Sequence, residues 1–234
     1  MAQLNDVVVR GNLTKDAEYK EFENGQKLCT LNIGVNSKYT NSAGEEVKEA
    51  SFFTIEAWND LAELMKDSKK GQDIRTEGRL KQEIWEKDGK KNSTLKIVAN
   101  KIDAFERGAE WKPENITTVE GNLTSDPEFK TFESGRTKCT FTVGVNRHYK
   151  NAAGEEKNSV NFVDVEAWGD AANKMKDAKK GQEFKTSGSL KQEIWEKDGV
   201  KHSKVKIQAF SIDPVIREKK QEKKSPSNER EMCF

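Results

Sequence analysis

Over much of the chain apolar and polar residues alternate with a period of two, as strands with one buried face require. Residues 28–36 place Cys29, Leu31, Ile33 and Val35 on one side. Residues 52–58 place Phe53, Ile55 and Ala57 on one side, with Phe52, Thr54, Glu56 and Trp58 opposite. Residues 74–85 put Ile74, Thr76, Gly78, Leu80 and Ile84 inward and Arg75, Glu77, Arg79, Lys81, Glu83 and Trp85 outward. Asp88-Gly89 then predicts a type I′ hairpin turn. The alternation slips between Ala99 and Ile102, which predicts a β-bulge. Residues 59–70 break the rhythm. There Leu61, Leu64 and Met65 follow helical spacing, Asp60 and Glu63 resemble a capping box, and Gly71 marks a stop.

The same pattern is written twice. Residues 9–103 match residues 119–213 at a constant offset of 110, with no insertion and about half of the positions identical. Gly11-Asn12-Leu13-Thr14 recurs as Gly121-Asn122-Leu123-Thr124, and residues 81–89 recur unchanged as 191–199. Each copy is domain-sized, so the expected division is a domain over 1–107, a polar linker over 108–116 and a second domain over 117–217. A tail over 218–234, charged and without apolar periodicity, is expected to be disordered. Three strands, a helix and two more strands is the order of an OB fold. The fold class is therefore all-β, with one short helix per domain and two tandem five-stranded OB-fold barrels.

Charge changes the functional picture. The formal net charge of the 234 residues is only +1, unlike a generic basic nucleic-acid binder. Any such binding depends on local placement of cations and on stacking. No apolar run approaches a membrane span and the N-terminus lacks a signal-peptide core, so a soluble, cytoplasmic protein is expected. Cys29 and Cys139 read as small buried hydrophobes and Cys233 as a free thiol. His148 and His202 have no counterpart in the first copy, and no metal-ligand spacing or cofactor motif occurs.

The informative residues are large rings on the face expected to meet water. Phe52 and Trp58 alternate with Thr54 and Glu56, and Trp85 shares its face with Arg79 and Lys81. Phe162, Trp168 and Trp195 repeat this, the last beside Lys191. Tyr39 and Tyr149 stand at a strand exit beside Lys38, Arg147 and Lys150. Exposing such a ring forgoes roughly 1.5–3 kcal/mol of burial, whereas stacking on a base returns about 1–3 kcal/mol without regard to its identity. Lys87, Lys90 and Lys91 cluster at one hairpin tip and Lys197 and Lys201 at the other, a placement suited to phosphates. The second copy carries Arg147, His148 and Lys150 where the first has Ser37, Lys38 and Thr40, so it is expected to bind more tightly.

The chain resembles the bacterial single-stranded DNA-binding proteins. VVRGNLTKDAEYKEFENG and VEGNLTSDPEFKTFESG are similar to that family's first strand and loop. GVNSKY and GVNRHY, FFTIEAWNDLAE and FVDVEAWGDAAN, and GQDIRTEGRLKQEIWEKDG follow in the family's order. The resemblance implies sequence-independent binding of single-stranded DNA in replication, recombination and repair. It places base stacking on Tyr39, Phe52, Trp58, Trp85, Tyr149, Phe162, Trp168 and Trp195, and implies a homodimer presenting four OB folds, associated with the nucleoid. In that family an acidic tail with an apolar tip recruits replication and repair proteins. This chain keeps a terminal Phe234 but has no acidic run.

Two other classes compete. A tandem OB module using its aromatic faces for protein or oligosaccharide accounts for the weak net charge. An enzyme could use the carboxylate pairs Asp16/Glu18 and Asp126/Glu128, but they sit in turn-rich sequence without a histidine or nucleophile in register, where turn capping is the simpler role.

Overall fold

The computed structural model describes residues 3–40, 44–87, 89–106, 110, 113–151, 154–197 and 199–216, the side chains of Tyr39, Thr40, Lys87, Lys90, Lys91, Lys197 and Val200 excepted. The first repeat contains β1 (Asn5–Leu13), β2 (Glu18–Glu21), β3 (Lys27–Thr40), β4 (Glu46–Trp58), α1 (Asp60–Met65), β5 (Asp73–Lys87) and β6 (Lys90–Phe105). The second contains β7 (Asn115–Leu123), β8 (Glu128–Thr131), β9 (Thr137–Lys150), β10 (Glu156–Trp168), α2 (Gly169–Asn173), β11 (Glu183–Lys197) and β12 (Val200–Pro214). Asn115 and Ile116, expected as linker, already belong to β7.

Each repeat closes into a five-stranded barrel. β1 pairs with β5, β5 with β6, β6 runs parallel to β4, and β4 pairs with β3. β3 then returns to β1 through Asn12↔Gly34 and Leu13↔Ile33. β2, on the outer edge of β3, was not foreseen, because four residues with a single ring, Tyr19, carry no periodic signal. The inward side chains expected from alternation fill the core: Cys29, Leu31, Ile33, Phe53, Ile55, Ala57, Ile74 and Leu80 are buried. Burial pushes the Cys29 and Cys139 thiols up to about 11, so both remain protonated. Cys233 lies outside the described residues.

Three expectations need correction. Ile84 is 60% exposed, because the β5–β6 ribbon runs beyond the barrel wall and leaves no core beneath it. Leu64 is exposed as well: α1 is a short turn of helix that buries Ala62 and Met65 instead. No capping box forms. The Glu63 carboxylate accepts hydrogen bonds from Lys27, Lys66 and Tyr19, which hold its pKa down at about 2.

The bulge falls inside the expected stretch. Glu77 pairs with Lys101 and Gly78 with Ala99, so Asn100 is skipped, and the same shift in the second repeat skips Phe210. Gly78 is required at this corner, since a Cβ there would enter the Val98 carbonyl oxygen.

The repeats join edge to edge through antiparallel pairing of β1 with β7, giving one twelve-stranded sheet. Asn5 faces Val119 and Asn115 faces Val9 about a central Val7↔Thr117 pair. These residues are mutual counterparts at the offset of 110, so a local twofold axis passes between Val7 and Thr117. The Asn5 side chain brackets the start of β1 by bonding both the Leu80 N–H and C=O at 2.9 Å, and Asn115 does the same with Leu190 at 2.8 Å. Among the described residues no helix is long and apolar enough to cross a membrane.

Candidate nucleic-acid interface

The twofold arrangement lays the β5–β6 ribbon of each repeat against the β3–β4 hairpin of the other. The Gln82 N–H donates to Asn161 Oδ1 at 2.8 Å, and the Gln192 N–H donates to Ser51 Oγ at 3.1 Å. Two grooves result, each built from both repeats. One is lined by Trp58, Arg79 and Lys81 from the first repeat and Arg147, Tyr149 and Ser159 from the second. The other is lined by Trp168, Ser189 and Lys191 from the second and Ser37, Lys38 and Glu49 from the first.

The rings selected from sequence occupy three settings. Phe52, Phe162, Trp85, Trp195 and Tyr149 are exposed, at 48%, 45%, 42%, 41% and 39%. Trp195 stacks on His202 with 5.6 Å between centroids, a partner that the first repeat replaces with Asn92. Trp58 and Trp168 are only half-buried rather than standing free, because each leans on a second ring: Phe22 at 6.2 Å and Phe132 at 5.5 Å. The Tyr39 side chain lies outside the described residues, although its backbone pairs with Val47 in the β3–β4 ladder.

Phe22 and Phe132 escaped the periodicity argument because they follow β2 and β8 in a turn. A signal did exist, since Lys20-x-Phe22 recurs as Lys130-x-Phe132. The lysine ammoniums lie over these rings at 4.8 and 5.0 Å. In the second repeat Arg136 and Lys138 also lie over Trp168 at 5.2 and 5.5 Å.

Several cations expected to meet phosphate are already engaged. Lys81 is ion-paired with Glu56 at 3.0 Å, Lys191 with Glu49 at 3.1 Å, and Lys38 with Glu46 at 3.3 Å. Glu56 and Glu166, expected on a wetted face, are buried beneath these grooves. Burial alone would raise their pKa. For Glu166, hydrogen bonds from Lys138, Lys206 and the Trp168 indole outweigh it and hold the pKa at about 2. Arg79, Arg147, Lys150 and Lys201 make no ion pair among the described residues. The side chains of Lys87, Lys91 and Lys197 lie outside the described residues. Asp16 and Asp126 cap turns, accepting the Lys70 and Lys180 N–H groups at 2.9 and 2.8 Å.

Two barrels, each with a ribbon reaching across its twin and rings along the seam, also match a known sequence pattern twice. The pattern describing the single-strand binding protein family covers residues 4–105 and again residues 114–215. The chain belongs to that family.

Members of the single-strand binding protein family resemble it over one repeat or both. The Thermus aquaticus single-stranded DNA-binding protein is 27% identical over 234 residues, covering 92% of this chain and 85% of that one. Its counterpart from Aquifex aeolicus is 37% identical over 119 residues, covering 50% of this chain and 81% of its own. The crystal structure of the wild-type Thermus aquaticus protein superposes with a TM-score of 0.76 at 25% identity, covering 95% of this chain and 98% of that one.

Proposed function

We propose that this chain binds single-stranded DNA without sequence preference, with bases stacking on the exposed rings and phosphates meeting cations along the two grooves. The observation that carries this reading is the exposure of Phe52, Trp85, Phe162 and Trp195 on both repeats of a fold that could have buried them. Rings that present a face to water accept any base, which suits coating rather than reading. The names of the relatives from Thermus aquaticus and Aquifex aeolicus support the same reading. The role is non-enzymatic protection of single strands during replication, recombination and repair, at the nucleoid. Two chains assemble as a homodimer of four OB folds, and the segment ending in Phe234 is the contact for replication and repair proteins.

Titration with oligo-dT at low salt tests the binding. Tryptophan fluorescence is expected to be quenched, and added salt to weaken the quenching steeply. Unchanged fluorescence with excess oligonucleotide overturns the reading. Sedimentation tests the assembly, since the dimer has twice the 26.5 kDa mass of the chain.

A further inference from the structure

The two grooves are twofold counterparts in backbone but not in charge. In the groove holding Trp58 and Tyr149 the lining cations are Arg79, Lys81 and Arg147, and among the described residues no carboxylate lines it, although Glu56 lies buried against Lys81. In its twin the cations are Lys38, Arg136 and Lys191, alongside Glu49 and Glu166. Three substitutions at the offset of 110 create most of the contrast: Arg79 corresponds to Ser189, Arg147 to Ser37, and Ser159 to Glu49.

Arg79 and Arg147 come from different repeats, yet they are close enough to affect each other. Burial, then the nearby Arg147 charge, lowers the Arg79 pKa from its usual value, against a smaller opposing pull from Glu56. The Arg147 guanidinium lies 4.4 Å over the Tyr149 ring. Both arginines also line an adjoining depression together with Asp6 and Glu120, and among the described residues neither carboxylate pairs with them. Neither arginine makes an ion pair among the described residues, so each keeps its donor fork for an incoming anion, and guanidinium forks match phosphate oxygens. The twin groove lacks this arrangement. Its Lys191 is held by Glu49, and serines stand at both arginine positions.

We propose that Arg79 and Arg147 form a phosphate clamp built from both repeats, which makes the groove between Trp58 and Tyr149 the tighter of the chain's two strand-binding grooves. The inference rests on single-strand binding as proposed above. It also replaces the expectation that the second copy binds more tightly. The extra cation of that copy, Arg147, serves a groove whose tryptophan and second arginine belong to the first.

The test gives the arginine groove the serines of its twin, as the double variant R79S/R147S, and measures (dT)8 binding across salt concentrations. Each phosphate neutralised on a single strand contributes about 0.7 to the log–log salt slope, so the slope should become shallower by about 1.4. Extrapolated from parity at 1 M salt, the affinity loss at 0.05 M is about sixtyfold. The reciprocal variant S37R/S189R should steepen the slope instead. Thermal melting checks the fold, and R79S/R147S should unfold in one transition with at most a small drop in midpoint, since it loses the Arg147–Tyr149 contact as well as the repulsion between the guanidiniums. An unmodified chain that binds (dT)8 alongside an R79S/R147S variant with the same affinity and slope overturns the clamp alone. An unmodified chain that binds no oligo-dT overturns both the clamp and the proposed function.

Discussion

The side-chain carbonyl of Gln82 accepts the backbone N–H of Phe162 at 3.2 Å, so the ribbon of the first repeat closes a strand edge of the second. Gln192 returns the contact to the Phe52 N–H at 3.2 Å. Q82A/Q192A removes both bonds while leaving the backbone bonds to Asn161 and Ser51 in place. At about 1 kcal/mol per hydrogen bond, the variant is expected to lose about 2 kcal/mol in urea unfolding. An unchanged midpoint would show that these bridges contribute nothing net.

The rings divide into two classes by what they touch. Phe52 and Phe162 are exposed, so F52A/F162A should weaken oligo-dT binding by about 1–3 kcal/mol per ring with little change in melting temperature. Trp58 and Trp168 also support Phe22 and Phe132, and the Trp168 indole donates to Glu166 at 2.7 Å. W58A/W168A should therefore lose both binding and about 1 kcal/mol or more of stability per ring. Calorimetry beside fluorescence titration separates the classes, and identical melting of the two variants would refute the division.

Much of this was legible in the chain, and the failures have physical causes. Alternation located the core because a strand has only two faces, and the 110-residue offset fixed the number of barrels. Ile84 misled because periodicity assigns a side without saying whether anything covers it, and a projecting ribbon has no inside. Glu56 misled in the reverse sense: Lys81 and Lys96 fold over it, neutralising its charge and shielding it from water. The meeting of Arg79 with Arg147 was not legible, since it depends on how two barrels dock rather than on either repeat's own pattern.

Thr117 is buried on the local twofold axis, and its hydroxyl has no hydrogen-bond partner among the described residues. Its counterpart, directly across the axis, is Val7. T117V restores the apolar side chain at nearly constant volume and relieves a buried hydroxyl of its desolvation cost. It should stabilise the protein by about 1 kcal/mol, raising the melting temperature by roughly 2–4 °C. A lower melting temperature would mean that the hydroxyl is satisfied in solution.

Acid should unfold the protein partly through Glu166. Its pKa of about 2 in the fold lies below the usual 4.5, so its contribution is complete above pH 4.5 and declines as pH falls towards 2. The amount at stake is at most about 3 kcal/mol. E166Q should be less stable at pH 7, because Lys138 and Lys206 lose their shared counter-ion, and its stability should vary less between pH 4.5 and 2. Equal acid slopes in urea titrations of the two proteins would assign the acid sensitivity elsewhere.

The β1–β7 seam has a consequence for how this molecule can vary. When two separate polypeptides meet along such an edge, dilution pulls them apart, and every inherited change lands on both sides of the axis at once. Covalent connection makes the encounter internal and independent of dilution. It also frees one side to alter alone, as the serines opposite Arg79 and Arg147 illustrate. A fused pair can thus give a passing polymer a preferred point of first contact, which perfect symmetry forbids.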